Sequence, residues 1–420
     1  MAWNRKEIRP GQVVRERVLS AKKPYVSYTR RVTRVKTDQR LVAIAFDDGP
    51  TDLPASPDKF SGRALTDILL DTLRDYEALG TFCMVGNTGE NYPDAAGRAG
   101  RPHWNGLRFD HYPDINQDER GGVVNNPEIV GRLLAEGHQA VNHSYRHIPF
   151  GRRPFPYGKR ACLENLEQVM ADLARLHGFL KKKHGYTMTM GRPPWHMDRI
   201  SGGYTSLDAF DQMGYLYLAG SFRGEGSQPL ESLQAEADAM VMLMGKVLAA
   251  DPDALCGQII CQRDGYNTVR RTPVVFGLRK QLDLLRRYGY RVVTAQQLVE
   301  SSPFADVGPG EPGFDKLVRL QKTRAIVYWD NSLRLDAPMT WGELAMLLAP
   351  RKEAVHRRIQ QIRETGKSQH PHWGAMDWCA EQGILKYAMD PDGPVKSLPT
   401  EFFDPIQGYT RRQVYEAFRD

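Results

Sequence analysis

The folds open to this chain are limited most by the alternation of apolar runs and helical spacings along its middle. "LVAIAF" (41–46) is an unbroken apolar run, the pattern of a strand buried on both faces rather than one half-exposed to water. "GRALTDILLDTLRDYEAL" follows with apolar residues at helical spacing, and "GTFCMVG" is a second strand after a glycine stop. The same alternation returns in "PEIVGRLLAEG", "HQAVNH" and the long helix "ACLENLEQVMADLARLHGFLKKKHG", then in "TMTMGRPPW", "SLDAFDQMG", "YLYLAGS" and "AEADAMVMLMGKVLAA". It closes with "GQIICQRDG", "VVFGLRKQLDLLRRYG" and "YRVVTAQQL". Repeated strand-then-helix units predict an α/β protein with a parallel sheet and helices outside, either open or closed into a barrel. In such sheets the chemistry gathers at the C-terminal ends of the strands.

Around this unit the chain divides. Residues 1–39 form a basic N-terminal arm, in which Lys and Arg far outnumber Glu7, Glu16 and Asp38 and "YVSYTRRVTRV" alternates at period two like an edge strand. Residues 40–302 carry the α/β pattern. "SSPFADVGPGEPG" reads as a linker over 303–315, and 316–420 form a second, smaller domain. Between "GTFCMVG" and "PEIVGRLLAEG" lies a Gly-, Pro- and Asn-rich excursion too long for a plain connection, which marks a functional or substrate-shaping loop. The formal charge of +7 permits an anionic polymer as partner, but no nucleic-acid motif accompanies it, and a solvated arm explains the excess as well. No run approaches the ~20 apolar residues of a membrane helix. Five cysteines without CxxC spacing read as small buried residues rather than a disulfide frame. The first residues lack the apolar core of a signal peptide, so the chain as written reads as cytoplasmic; one trimmed of a leader would look the same.

"LVAIAFDDGP" ends its buried strand in two adjacent carboxylates, which need open water or a cation. Two further predicted strand ends carry suitable partners: His143 and His147 in "NHSYRH", and Arg192 in "GRPPWH". Two histidines four apart can share an ion, and one carboxylate completes a three-ligand set with a position open for water, the arrangement of a catalytic site.

In this order the three stretches resemble the polysaccharide deacetylases of the NodB-homology group, also called carbohydrate esterase family 4. That family's motifs are T/S-F-D-D-G-P, H-S/T-x-x-H and R-x-P-x followed by an aromatic residue or glycine; this chain has "AFDDGP", "HSYRH" and "RPPW" over roughly residues 40 to 300. The resemblance implies a distorted (β/α) barrel, a divalent metal, commonly zinc, and hydrolysis of acetyl groups, N-acetyl before O-acetyl, from a carbohydrate such as a cell-wall glycan. It assigns Asp48, His143 and His147 as metal ligands and Asp47 as general base. Arg192 would pair with Asp47 and keep it ionised. Trp195 offers a flat apolar face for a sugar ring.

Two family features are missing. The L-x-H motif, whose histidine protonates the leaving group, aligns with "GQIICQRDG" so that Arg263 stands at the histidine, and the aspartate that tunes it is absent from "YLYLAGSFRGEG". This suggests either a relocated donor or a site that binds a glycan without efficient turnover. His196, a residue type that titrates near neutral pH, is the nearest candidate donor; His103 and His111 lie in the long loop. The last hundred residues resemble degenerate S-layer homology repeats, with Trp373–Gly374, Gly383–Ile384, Phe403, Pro405, Thr410 and Arg411 at the pattern positions. Such modules bind secondary cell-wall polymers; the alternative is a helical packing domain without a ligand.

Overall fold

The computed structural model describes residues 29–419 apart from 56–61, 91–101, 104–106, 109–119, 153–160, 227–228, 268–270, 327, 366–369, 371 and 388. Its main sheet is built from β1 (Arg31–Val32), β2 (Leu41–Asp47), β3 (Thr81–Met84), β6 (Gln139–Asn142), β7 (Met190–Gly191), β8 (Leu216–Leu218), β9 (Phe222–Arg223), β10 (Ile259–Arg263) and β11 (Arg291–Val293); β4 (Pro102–His103) and β5 (Leu107–Arg108) form a separate antiparallel pair. The order is β1-β8-β7-β6-β3-β2-β10-β9, every pairing is parallel, and β11 joins the lower half of β2 beyond β3. Among the described residues the outer strands β1 and β9 do not pair, so the sheet is a curled half-barrel, the distorted (β/α) barrel expected.

The apolar runs explain the layering. In β2, Val42, Ile44 and Phe46 face the helices in the main core, while Leu41, Ala43 and Ala45 face a smaller core with Val32, Cys83, Val141 and Ile259. Side chains alternate along a strand, so Asp47 continues the second set. The covering helices are α1 (Leu65–Asp75), α2 (Pro127–Ala135), α3 (Leu166–His184), α4 (Ser206–Met213), α5 (Leu233–Ala250), α6 (Pro273–Arg287) and α7 (Ala295–Ser301). Their ends follow local chemistry. Asn165 accepts from the Gln168 amide to start α3 and Gly185, at φ 67°, ends it; Thr205 and Thr294 head capping boxes on α4 and α7.

The helical C-terminal region holds α8 (Phe314–Thr323), α9 (Trp341–Leu348), α10 (Glu353–Thr365), α11 (Trp373–Glu381) and α12 (Arg411–Ala417) around Leu320, Leu344, Leu347, Cys379 and Val414. Thr340 and Thr410 each head a capping box, and Arg411 of the second pairs with Glu343 of the first at 2.6 Å. Phe304 and Val307, within the stretch read as a linker, pack into this core. The stretch read as a basic arm supplies β1 and the buried Val35. It also meets the C-terminal region: the Arg31 amide donates to the Trp329 carbonyl at 2.6 Å and the Lys36 amide to the Phe304 carbonyl at 2.7 Å.

Candidate active site

Sheet register brings the motif residues to one level. Arg263 pairs with Asp47 across β10 and β2, Asp47 with Cys83 on β3, Met84 with Asn142 on β6, and Asn142 with Gly191 on β7. Asp47–Asp48, His143 and Arg192 therefore leave neighbouring strands at the same C-terminal rim. Five of the eight non-glycine residues with positive φ among those described lie here: Asp48 (81°), Ser144 (75°), His147 (54°), Trp195 (59°) and His196 (52°). Backbone in this region costs of order 1–3 kcal/mol per residue, so the surroundings must hold it.

Asp48, His143 and His147 form a group whose ligating atoms lie within 4.8 Å of one another. Both histidine Nε2 atoms approach the same Asp48 oxygen, at 3.3 and 3.2 Å. Ligands on a tetrahedral ion with bonds of ~2.1 Å stand about 3.4 Å apart, so the spacing fits a divalent metal. His143 Nδ1 lies 2.9 Å from the Arg192 carbonyl, to which it can only donate, and this tautomer leaves Nε2 as the ligand atom. Burial pushes the Asp48 carboxyl up, but His143 and His147, when protonated, donate to it and hold it well below the ordinary range.

Asp47 stands beside this set. Its Oδ1 accepts from Arg192 Nη1, while Arg192 Nε donates to the Leu218 carbonyl at 3.0 Å, which fixes the guanidinium beneath the sheet's rim. Burial raises the Asp47 carboxyl; the charge of Arg192, joined by His143 and His196 when those are protonated, more than reverses this and keeps it ionised. His196 Nε2 lies 3.8 Å from Asp47 Oδ2, so the suggested donor is on the same side as the base. Burial, reinforced by Arg192, lowers it to about 4, which makes it a neutral imidazole at neutral pH. Trp195 stacks on the His147 ring with centroids 6.1 Å apart. Gly49 is required by a close approach: a Cβ there would meet Cβ of the buried Asp264 at 2.8 Å.

Arg263 approaches from the opposite side, with Nε 3.7 Å from Asp48 Oδ2 and a hydrogen bond of 2.8 Å from Nη1 to Glu225 Oε1. Glu225 was not singled out in the sequence. It sits in "SFRGEG", the stretch where an aspartate is missing, and any acidic residue there was the available signal. The carboxylate partner of the position is present, one methylene longer and paired to arginine. His111 lies outside the described residues, as does the side chain of His103.

With this geometry established, the chain can be placed among known proteins. Residues 34–196 match the polysaccharide deacetylase family. A peptidoglycan-N-acetylglucosamine deacetylase of Bacillus cereus is 25% identical over 268 residues, 63% of this chain and 91% of that protein. The peptidoglycan-N-acetylglucosamine deacetylase PgdA of Listeria monocytogenes is 22% identical over 267 residues, covering 64% of this chain but 40% of its own length. Among solved structures, the chitin deacetylase of Colletotrichum lindemuthianum aligns over 67% of this chain and 94% of its own, at 18% identity and a TM-score of 0.43. The family match covers residues 34–196, less than half of the chain, and takes in Asp47, Asp48, His143, His147 and Arg192.

Proposed function

We propose that this protein is a metal-dependent deacetylase that hydrolyses acetyl groups, N-acetyl in the first place, from a carbohydrate. The observation that carries the reading is an ionised carboxylate, Asp47, locked by a buried arginine directly beside the Asp48–His143–His147 group. A divalent ion held by that group, zinc being the fit for two imidazoles and one carboxylate, would polarise the acetyl carbonyl and acidify a bound water. Asp47 takes the proton of the attacking water. Arg192 keeps Asp47 ionised and aimed, and Trp195 offers an apolar ring surface to the sugar. The Bacillus and Listeria relatives are peptidoglycan deacetylases, which supports a cell-wall glycan as substrate.

A second reading is favoured by the Arg263–Glu225 pair: a glycan-binding protein on a deacetylase scaffold with weak turnover. The C-terminal region, if it acts as a pair of S-layer-like repeats, would add attachment to a cell-wall polymer; Thr340 and Thr410 capping boxes at matching places support the repeat. Acetate release from N-acetylglucosamine oligomers, measured with zinc and with a chelator, tests the first reading. Zinc-dependent release supports it; glycan binding without release supports the second.

A further inference from the structure

The two histidines of the metal group are separated by a turn that α3 helps to hold in place. Ser144 and His147 both have φ in the left-handed region, at 75° and 54°. The restraint comes from α3, more than twenty residues downstream. Asp172, 4% exposed, directs both of its oxygens at this turn: Oδ2 accepts from Ser144 Oγ at 2.8 Å and from the Tyr145 amide at 2.7 Å, and Oδ1 accepts from Arg146 Nε at 2.8 Å. Ser144 Oγ in turn accepts from the His147 amide at 3.0 Å, so the carboxylate reaches the second ligand through one hydroxyl. Asn142 Oδ1 accepts from the Ser144 amide at 3.0 Å, and its Nδ2 donates to the Leu173 carbonyl at 2.9 Å, which ties the strand end to the same turn of α3.

A buried carboxylate is costly unless paired, and this one spends its acceptors on the residues between the ligands. We propose that Asp172 is a positioning residue for the metal site: it fixes the backbone of residues 144–147 so that His143 and His147 present Nε2 to the Asp48 oxygen together. The inference rests on reading Asp48, His143 and His147 as metal ligands. Residues that orient ligands in this way typically change metal affinity by about 10- to 100-fold when removed.

The test is zinc affinity by calorimetry, together with the cobalt(II) absorption spectrum, on the full-length wild type, Asp172→Ala and Asp172→Asn. Asp172→Ala is expected to weaken zinc about 10- to 100-fold and to change the cobalt(II) spectrum, because the second histidine no longer meets the ion. Asp172→Asn keeps the shape and one acceptor oxygen, so it should lose less affinity and retain more of the wild-type spectrum; it also serves if the alanine variant does not fold. A purely structural role would lower the thermal midpoint and leave the affinity and spectrum of the folded variants unchanged, and that result overturns the inference. A wild type that takes up no zinc removes the metal reading itself, and the inference with it.

Discussion

The two sides of the site use the same pair of groups in opposite order. On one side Arg192, wholly buried, lies behind Asp47, and the carboxylate faces the open rim with 13% of its side chain exposed. On the other, Glu225, at 10%, lies behind Arg263, and the guanidinium faces outward at 33%. The first order presents a base whose charge is secured. The second presents a fixed cation that can stabilise a developing oxyanion but cannot give up a proton at any workable pH. On the proposed reading, catalytic capacity is therefore lopsided: proton acceptance is built in beside the candidate metal group, while proton donation to a leaving amine is not supplied by Arg263.

Both sides depend on the candidate metal group between them, and removing its ligands carries the largest expected effect. Asp48→Ala and His143→Ala should each abolish binding of about one zinc per chain, measured by metal analysis after dialysis. A bound ion retained in both variants would place the metal elsewhere.

The next separates the base side. Arg192→Gln leaves Asp47 buried without its cation, and breaking such a pair by removing one partner costs about 3–5 kcal/mol. The sign with pH follows from burial, which then pushes the Asp47 carboxyl up. In the wild type its lowered carboxyl contributes stability above the unfolded value that is lost as pH falls through the folded one. In the variant a raised carboxyl favours the folded state at low pH and loses that advantage as pH rises. Denaturant unfolding should thus show a deficit that is largest near pH 7 and shrinks towards pH 4; a pH-independent deficit would remove the charge argument.

The smallest effect concerns the other side and is read as a ratio. Arg263→His should raise hydrolysis of N-acetyl substrates relative to activated aryl acetates, which leave without protonation. His196, neutral at pH 7, can donate only from its protonated fraction, so His196→Ala should lower the amide rate selectively towards low pH. No change of the ratio in either variant would move proton donation to another group.

Much of this was legible from the sequence, for physical reasons. Parallel strands buried on both faces read as apolar runs, so β2, β3 and β10 were visible, as were the helices with clear caps, α3 and α4. β7, two residues long and ending at Gly191, carries no period of its own and was placed only by the alternation around "TMTMGRPPW". The metal group was legible because its residue types and order resemble a known family. Glu225 and Asp172 were not. Glu225 lies in a loop whose only signal is a charge. Asp172 looks like one more charged residue of a helix, yet it falls on the buried stripe of Val169, Leu173, Leu176 and Leu180, where a carboxylate needs a partner that only the fold reveals.

On the proposed reading Asp47, held ionised by Arg192, accepts the proton of the attacking water beside the metal group. The most direct test is the rate of acetate release by Asp47→Asn, compared with the wild type at equal zinc occupancy. An amide cannot accept that proton, so the rate should fall by about 10²- to 10⁴-fold while zinc is retained. A variant that keeps its zinc and releases acetate at the wild-type rate would remove Asp47 from that role.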